Sequence, residues 1–225
     1  MTDSMWHHRP ESGARVTRRR LLQITAAVAG AGLLPASAAT RMAPLVGRGS
    51  AFGAAATVTL YHPDQAAARD LLAQAMAEVR RMESVYSLYQ AESAISRLNR
   101  DGRLTALPLE MVELLGQARS ISDLTGGAFD VTVQPLWRLY AEHFAKHPSD
   151  TSGPDSATRA KTLELVDYRA LQISAETIGF ARLGMAVTLN GLAEVCITDR
   201  VAALLRRGGL EHVRAEDARL HGALG

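Results

Sequence analysis

Three clusters of residues carry types and spacings that could do chemistry. The first runs Thr125-Gly126-Gly127-Ala128-Phe129-Asp130-Val131-Thr132-Val133-Gln134-Pro135-Leu136-Trp137. Two glycines let the backbone turn sharply or take positive φ. A small residue, an aromatic ring and a carboxylate then stand side by side. That order gives a turn that can press against a ligand, a ring to stack on it and an acid to hold a polar edge. The same residue types also suit a helix C-cap followed by an ordinary strand or turn. The second cluster is Tyr86 to Asn99, where Tyr86 and Tyr89 flank Ser87, and Ser93 is placed to cap a short helix. A tyrosine can stack on a flat ring and offer a hydroxyl at its edge. In the third, Thr188-Leu189-Asn190-Gly191 leads into Leu192-Ala193-Glu194. A strand that ends in a small-residue turn and feeds a helix turns free backbone N–H groups toward a ligand, which suits a pyrophosphate. Glu194 then falls in the first helical turn, where a carboxylate also suits the positive end of the helix dipole.

Other chemistry-bearing residues fit less well. His143 and His147 stand four apart, as two metal ligands on a helix would, but no Glu follows His143 and Pro148 ends the element. Cys196 is the single cysteine, so no intramolecular disulfide is possible, and its apolar helical surroundings suit a small buried hydrophobe. Gly47, Gly49 and Gly53 imitate a dinucleotide loop, but a β-type run follows them instead of a helix. Arg97 and Arg100 could meet phosphates, and Glu92 and Asp101 could pair with them on the surface.

The three clusters together resemble the signature of the FAD:protein FMN transferases, the ApbE-type flavin transferases. The resemblance runs from about Ser50 to about Val213. It implies an ApbE-type fold that transfers FMN from FAD to a Thr or Ser hydroxyl of an acceptor protein, with Mg²⁺, releasing AMP. The implied acceptor is a subunit of a respiratory or redox complex. By the resemblance Phe52, Tyr89, Ala128, Phe129, Asp130, Thr188 and Glu194 contact FAD, and Gly191 lends an oxygen to Mg²⁺. Asp130 should meet a ribose hydroxyl or an adenine amine. The pattern departs in places: Phe52 stands for Met, Thr188 for Asp, and Val195-Cys196 for the usual Gly-Tyr. The family also carries later residues, an Asp and a Thr for Mg²⁺ and a His-bearing segment, that do not occur before Gly225. The expectation is therefore a member with its C-terminal part missing. The alternative is a catalytically inactive flavin-binding remnant.

Elements that position these residues follow from periodicity. Gln65 to about Met82 and Pro108 to Leu124 read as amphipathic helices, as do Ala157 to Val166 and the stretch after Asn190, stopped by Gly208-Gly209. Ala55–Tyr61, 170–174, 178–180 and 185–189 read as strands, with the start of another at His212-Val213. The fold class expected is α+β, a mixed sheet packed with helices.

The N-terminal part reads differently. Basic residues to Arg20, an apolar run from Leu21 to Leu34 and Ala36-Ser37-Ala38 make the pattern of an exported protein. Thr17-Arg18-Arg19-Arg20-Leu21-Leu22 resembles a twin-arginine signal. The expected organisation is a signal over residues 1–38, a linker over 39–49 and the domain over 50–225. The expected location is periplasmic, near the membrane if the signal stays as an anchor. A formal net charge of +2 and no basic stripe interleaved with aromatics exclude a nucleic-acid partner.

Overall fold

The computed structural model describes residues 20–27, 43–210 and 212–219. Its larger sheet is built on the hairpin of β2 (Leu45–Ala51) and β3 (Ala54–Tyr61). Residues alternate along β3, with Ala56, Val58 and Leu60 buried against the helices and Thr57 and Thr59 on the other face. Two further strands extend the sheet: β1 (Arg20–Ala27) lies parallel to β3, and β7 (His212–Arg219) lies antiparallel to β1. The order is β2-β3-β1-β7, so β1 is an interior strand.

Two of these strands, β2 and β1, fall where the sequence suggested otherwise. Leu45–Ala51 lies largely inside the expected linker, yet it forms β2. β1 lies inside the apolar run expected for targeting. Its residues have strand periodicity as well as apolar content: Ile24 and Ala26 are buried, while Gln23 and Thr25 alternate with them. The rest of the 1–38 segment lies outside the described residues.

The helices cover one face. Helix α1 (Gln65–Tyr86) starts at Asp64, whose carboxylate accepts the N–H groups of Ala66 and Ala67 at 2.7 and 3.2 Å. It runs one turn past Met82 because Val85 and Tyr86 are also buried, and the Tyr86 hydroxyl donates to the Glu110 carbonyl. Burial raises the Tyr86 phenol well above its ordinary value. Helix α2 (Ala94–Asp101) is capped by Ser93 as expected, with Ile95 and Leu98 buried. β4 (Arg103–Leu104) then joins the second sheet. Helix α3 (Leu109–Leu124) buries Met111, Leu114, Leu115 and Ala118, but Leu124, expected on that face, is exposed at its end.

A turn of 3-10 helix (Val131–Val133) leads into α4 (Gln134–Lys146). Helix α5 (Ser156–Leu163) precedes β5 (Leu171–Ile173) and β6 (Ile178–Phe180), the two short strands anticipated. These form an antiparallel sheet of order β4-β6-β5. Residues 185–189, expected as a strand, belong to no helix or strand. Helix α6 (Asn190–Arg207) returns over the large sheet and packs its Ala193, Ile197, Val201 and Leu205 into the core. Among the described residues no helix is long and apolar enough to cross a membrane. The outcome is the α+β arrangement expected, with helices packed on a mixed sheet.

Candidate functional site

The organising turn begins where α3 stops. Gly126 and Gly127 take φ of 60° and 87°. The Gly127 N–H donates to the Ser122 carbonyl at 2.8 Å and the Gly126 N–H to that of Asp123 at 3.2 Å. These two bonds close a Schellman cap, which needs the left-handed backbone that glycine accepts cheaply. The chain then doubles back, and the Phe129 N–H donates to the Thr125 hydroxyl at 3.1 Å.

Asp130 caps the 3-10 turn that follows. One carboxylate oxygen accepts from the Thr132 N–H at 2.7 Å and the Thr132 hydroxyl at 2.6 Å. The other accepts from the Tyr168 N–H at 2.9 Å. Asp130 is thus engaged by the protein's own donors, and its evident work is to hold the turn. Thr132, fully buried, also accepts the Asp167 N–H at 2.7 Å. Asp167 in turn meets Arg182 at 2.6 Å, which holds its carboxyl below the ordinary range. The Tyr168 hydroxyl donates to Asp123, and that hydrogen bond pushes the phenol upward.

The opposite wall comes from the residues just before α6. The Thr188 N–H donates to the Val131 carbonyl at 2.8 Å, stitching the two segments together. Asn99 of α2 grips the neighbouring peptide. Its side chain accepts from the Val187 N–H at 2.7 Å and donates to the Val187 carbonyl at 2.9 Å. One amide side chain thereby replaces the two ladder bonds a strand partner would supply at Val187.

Between these walls lies a cavity of about 610 Å³. It is lined by Gly127 to Val131, by Val133 and Val166, and by Thr188, Leu189, Gly191 and Leu192. Its size is that of a small-molecule site. The start of α6 contributes its first turn, and Leu189 before it offers no side-chain cap. The Leu192 and Ala193 N–H groups donate to the Leu189 carbonyl at 2.9 and 2.7 Å, so those of Asn190 and Gly191 are the ones that could meet an anion. The Asn190 Oδ1 is buried beside them without a hydrogen-bond partner among the described residues. Such an oxygen is costly to leave unpaired.

Five of the expected site residues, Ala128, Phe129, Asp130, Thr188 and Gly191, line this cavity. Phe52 and Tyr89 do not, but Gly53, next to Phe52, lies against the Tyr89 ring. Phe52 and Gly53 form the two-residue turn of the β2-β3 hairpin, with φ of 52° and 76°. A side chain on Gly53 would come within 3.1 Å of the Tyr89 ring. Positive φ is unusual for phenylalanine. It is held here because the Phe52 ring is buried and its N–H donates to the buried Glu83 carboxylate at 3.0 Å. Tyr89 is 65% exposed. Glu194 lies a turn further along α6, outside the cavity lining. Its backbone carbonyl accepts the Thr198 hydroxyl.

The sequence signalled little of Asn99 and Glu83, since each acts through long-range backbone contacts. The serines of the second cluster build its loop: Ser93 and Ser96 both donate to the Ser87 carbonyl. Arg100 meets Glu92, Asp101 and the Ala91 carbonyl, whereas the Arg97 Nε is buried without a partner among the described residues. His143 pairs with Asp150 at 2.6 Å, and its ring lies 5.1 Å from that of His147. Cys196 is half-buried against the core. The described residues contain no group of three His, Cys, Asp or Glu side chains able to hold a metal. The Gly191 backbone and the Asn190 Oδ1 are oxygen donors near the cavity, but they do not by themselves make a magnesium site.

The family model described as the ApbE family matches residues 52–216, which include both cavity walls. The chain belongs to the ApbE family. No curated protein matches it significantly in sequence. Among solved structures, it resembles the flavin transferase ApbE of Vibrio cholerae with a TM-score of 0.67 at 21% identity, over 79% of this chain and 58% of that one. The apo flavinyl transferase ApbE of Pseudomonas stutzeri gives 0.61 at 22%, over 78% and 56%. The apbe protein of Thermotoga maritima gives 0.64 at 18%, over 77% and 57%. At these identities the likeness establishes the ApbE fold. The chain spans less than two thirds of the length of these structures.

Proposed function

We propose that this chain handles FAD in the cavity between the Gly127–Val133 turn and the start of α6, and transfers FMN from it to a protein. The acceptor group is a Thr or Ser hydroxyl of a redox or respiratory complex subunit, and AMP leaves. The observation that carries this reading is that two segments far apart in sequence, both matched by the family model, meet at one cavity. Its apolar lining suits a flat ring, and the open first turn of α6 suits a phosphate.

The chain's own residues have defined parts in this reading. Asp130 and Asn99 hold the two walls, and the glycine turn lets backbone approach the ligand. The first N–H groups of α6 receive the pyrophosphate, and Thr188 and Phe129 border the ring or sugar. Phe52 and Tyr89 form a second contact region at the β2-β3 turn. The proposed requirement for Mg²⁺ comes with the family, where a divalent ion offsets the phosphoryl charge. Export to the periplasm also belongs to the proposal, resting on the twin-arginine-like N-terminal pattern.

A transfer assay tests the reading. The protein is incubated with FAD, Mg²⁺ and a Thr-bearing acceptor, and flavin fluorescence on the acceptor is sought in a denaturing gel. Mg²⁺-dependent fluorescence that survives denaturation is the expected result. Folded protein that leaves the acceptor dark would overturn transfer.

A further inference from the structure

We propose that the gap between β3 and β7 is a strand-receiving slot, and that Arg20–Ala27 is an exchangeable occupant of it. The inference rests on the strand placement and is independent of the flavin reading. β3 has β2 on its other side, but among the described strands β7 pairs with β1 alone. Withdrawing β1 would open one edge of β3 and deprive β7 of its ladder. Open edges of this kind are templates for a new strand.

The fit of the occupant is specific. Ile24 pairs with Val58 and Ala26 with Leu60, and all four are buried on the same face. Gln23 and Thr25 pair with Thr57 and Thr59 on the other face. A one-residue slip would turn Ile24 and Ala26 away from α6 and set Gln23 and Thr25 against the core. The same residues make up part of the apolar run that the sequence marks for targeting. Their backbone N–H and C=O groups cannot serve a sheet ladder and an extracted signal at once. Seating the strand and presenting the run are therefore mutually exclusive states of one segment. A chain whose own segment cannot seat should accept another strand of this sequence in the same parallel register.

Two experiments on the full-length chain test this, both in a Cys196→Ser background. The first pairs Thr25→Cys with Thr59→Cys, directly opposed across β1 and β3. Rapid intramolecular cross-linking under mild oxidation is expected. The control pairs Thr25→Cys with Val46→Cys, which lies opposite Thr59 on β2. That pair spans two strand spacings, roughly 9–10 Å, beyond disulfide reach. No preference for the first pair over the control would overturn the proposal.

The second experiment adds a fluorescent peptide of sequence RLLQITAA to the wild-type chain and to Ile24→Asp. The aspartate cannot be buried opposite Val58, so the variant's own strand should not seat. At least tenfold tighter peptide binding by the folded variant, competed by unlabelled peptide, is expected. Equal binding by both chains, or none by a folded variant, would overturn exchange. If Ile24→Asp does not fold, Ile24→Thr, which weakens the seated strand without burying a charge, is compared with wild type in the same way, and equal peptide binding by the two folded chains overturns exchange.

Discussion

At the scale of single residues, the site is held by side chains that serve the backbone. Asp130 illustrates this, because three protein donors occupy its carboxylate. Loss of an N-cap acceptor costs about 0.5–2 kcal/mol. Asp130→Ala should therefore lower stability by about 1–2 kcal/mol, measured by urea unfolding. Asp130→Asn, which keeps one acceptor oxygen, should recover much of it. Gly53 makes a second case. Its φ of 76° strains any side chain, and the 3.1 Å approach would make the Tyr89 ring give way. Gly53→Ala should cost about 1 kcal/mol or more and displace Tyr89, seen as a changed tyrosine signal in near-UV circular dichroism. Residue types alone announced the glycines, the aromatic and the acid of the turn. They could not announce that Asp130 faces inward to Tyr168, because that contact joins residues 38 apart.

At the scale of elements, helices were more legible than extended segments. Helices α1, α3 and α6 have long apolar stripes, so their existence followed from period alone. The 185–189 stretch was misread as a strand because its apolar run satisfies strand periodicity, while its actual partner is the Asn99 side chain. Asn99→Leu should strand the buried Val187 N–H and carbonyl and destabilise the protein by about 2–3 kcal/mol. The same variant should weaken FAD binding, since it frees one cavity wall. β1 and β2 were missed for a different reason. Composition marked their segments as targeting run and linker, and only the tertiary pairing reveals the ladders. Between α1 and α3, Glu78 and Glu110 share Arg81. The hydrogen bond from Arg81 holds the Glu78 carboxyl below its ordinary value of 4.5. A depressed carboxylate stabilises the fold above its unfolded pKa, and that contribution is lost as pH falls from about 4.5 through the folded value. Arg81 is partly exposed, so Glu78→Gln should cost only about 0.5 kcal/mol at pH 7. The variant should also show a shallower loss of stability on acidification, measured by urea midpoints from pH 7 to pH 3.

At the scale of the whole molecule, three separated motifs are gathered into two neighbourhoods. The turn at 127–133 and the start of α6 enclose the cavity, and Tyr89 lies against Gly53 of the β2-β3 turn, next to Phe52. Order along the chain made the family recognisable before the fold was known, and the family model covers the segments that carry both neighbourhoods. Which motif residues share a wall was not legible, because that depends on the helices between them. The central claim is that FAD enters the cavity, and it is tested most directly by titrating the protein with FAD and following flavin fluorescence. Ala128 lines the cavity from an exposed position, so Ala128→Trp should fill it without disturbing the core. We expect saturable FAD binding by the wild-type chain and at least tenfold weaker binding by Ala128→Trp at unchanged thermal stability. Equal affinity in the two proteins, or no binding by folded wild-type protein, would contradict the account.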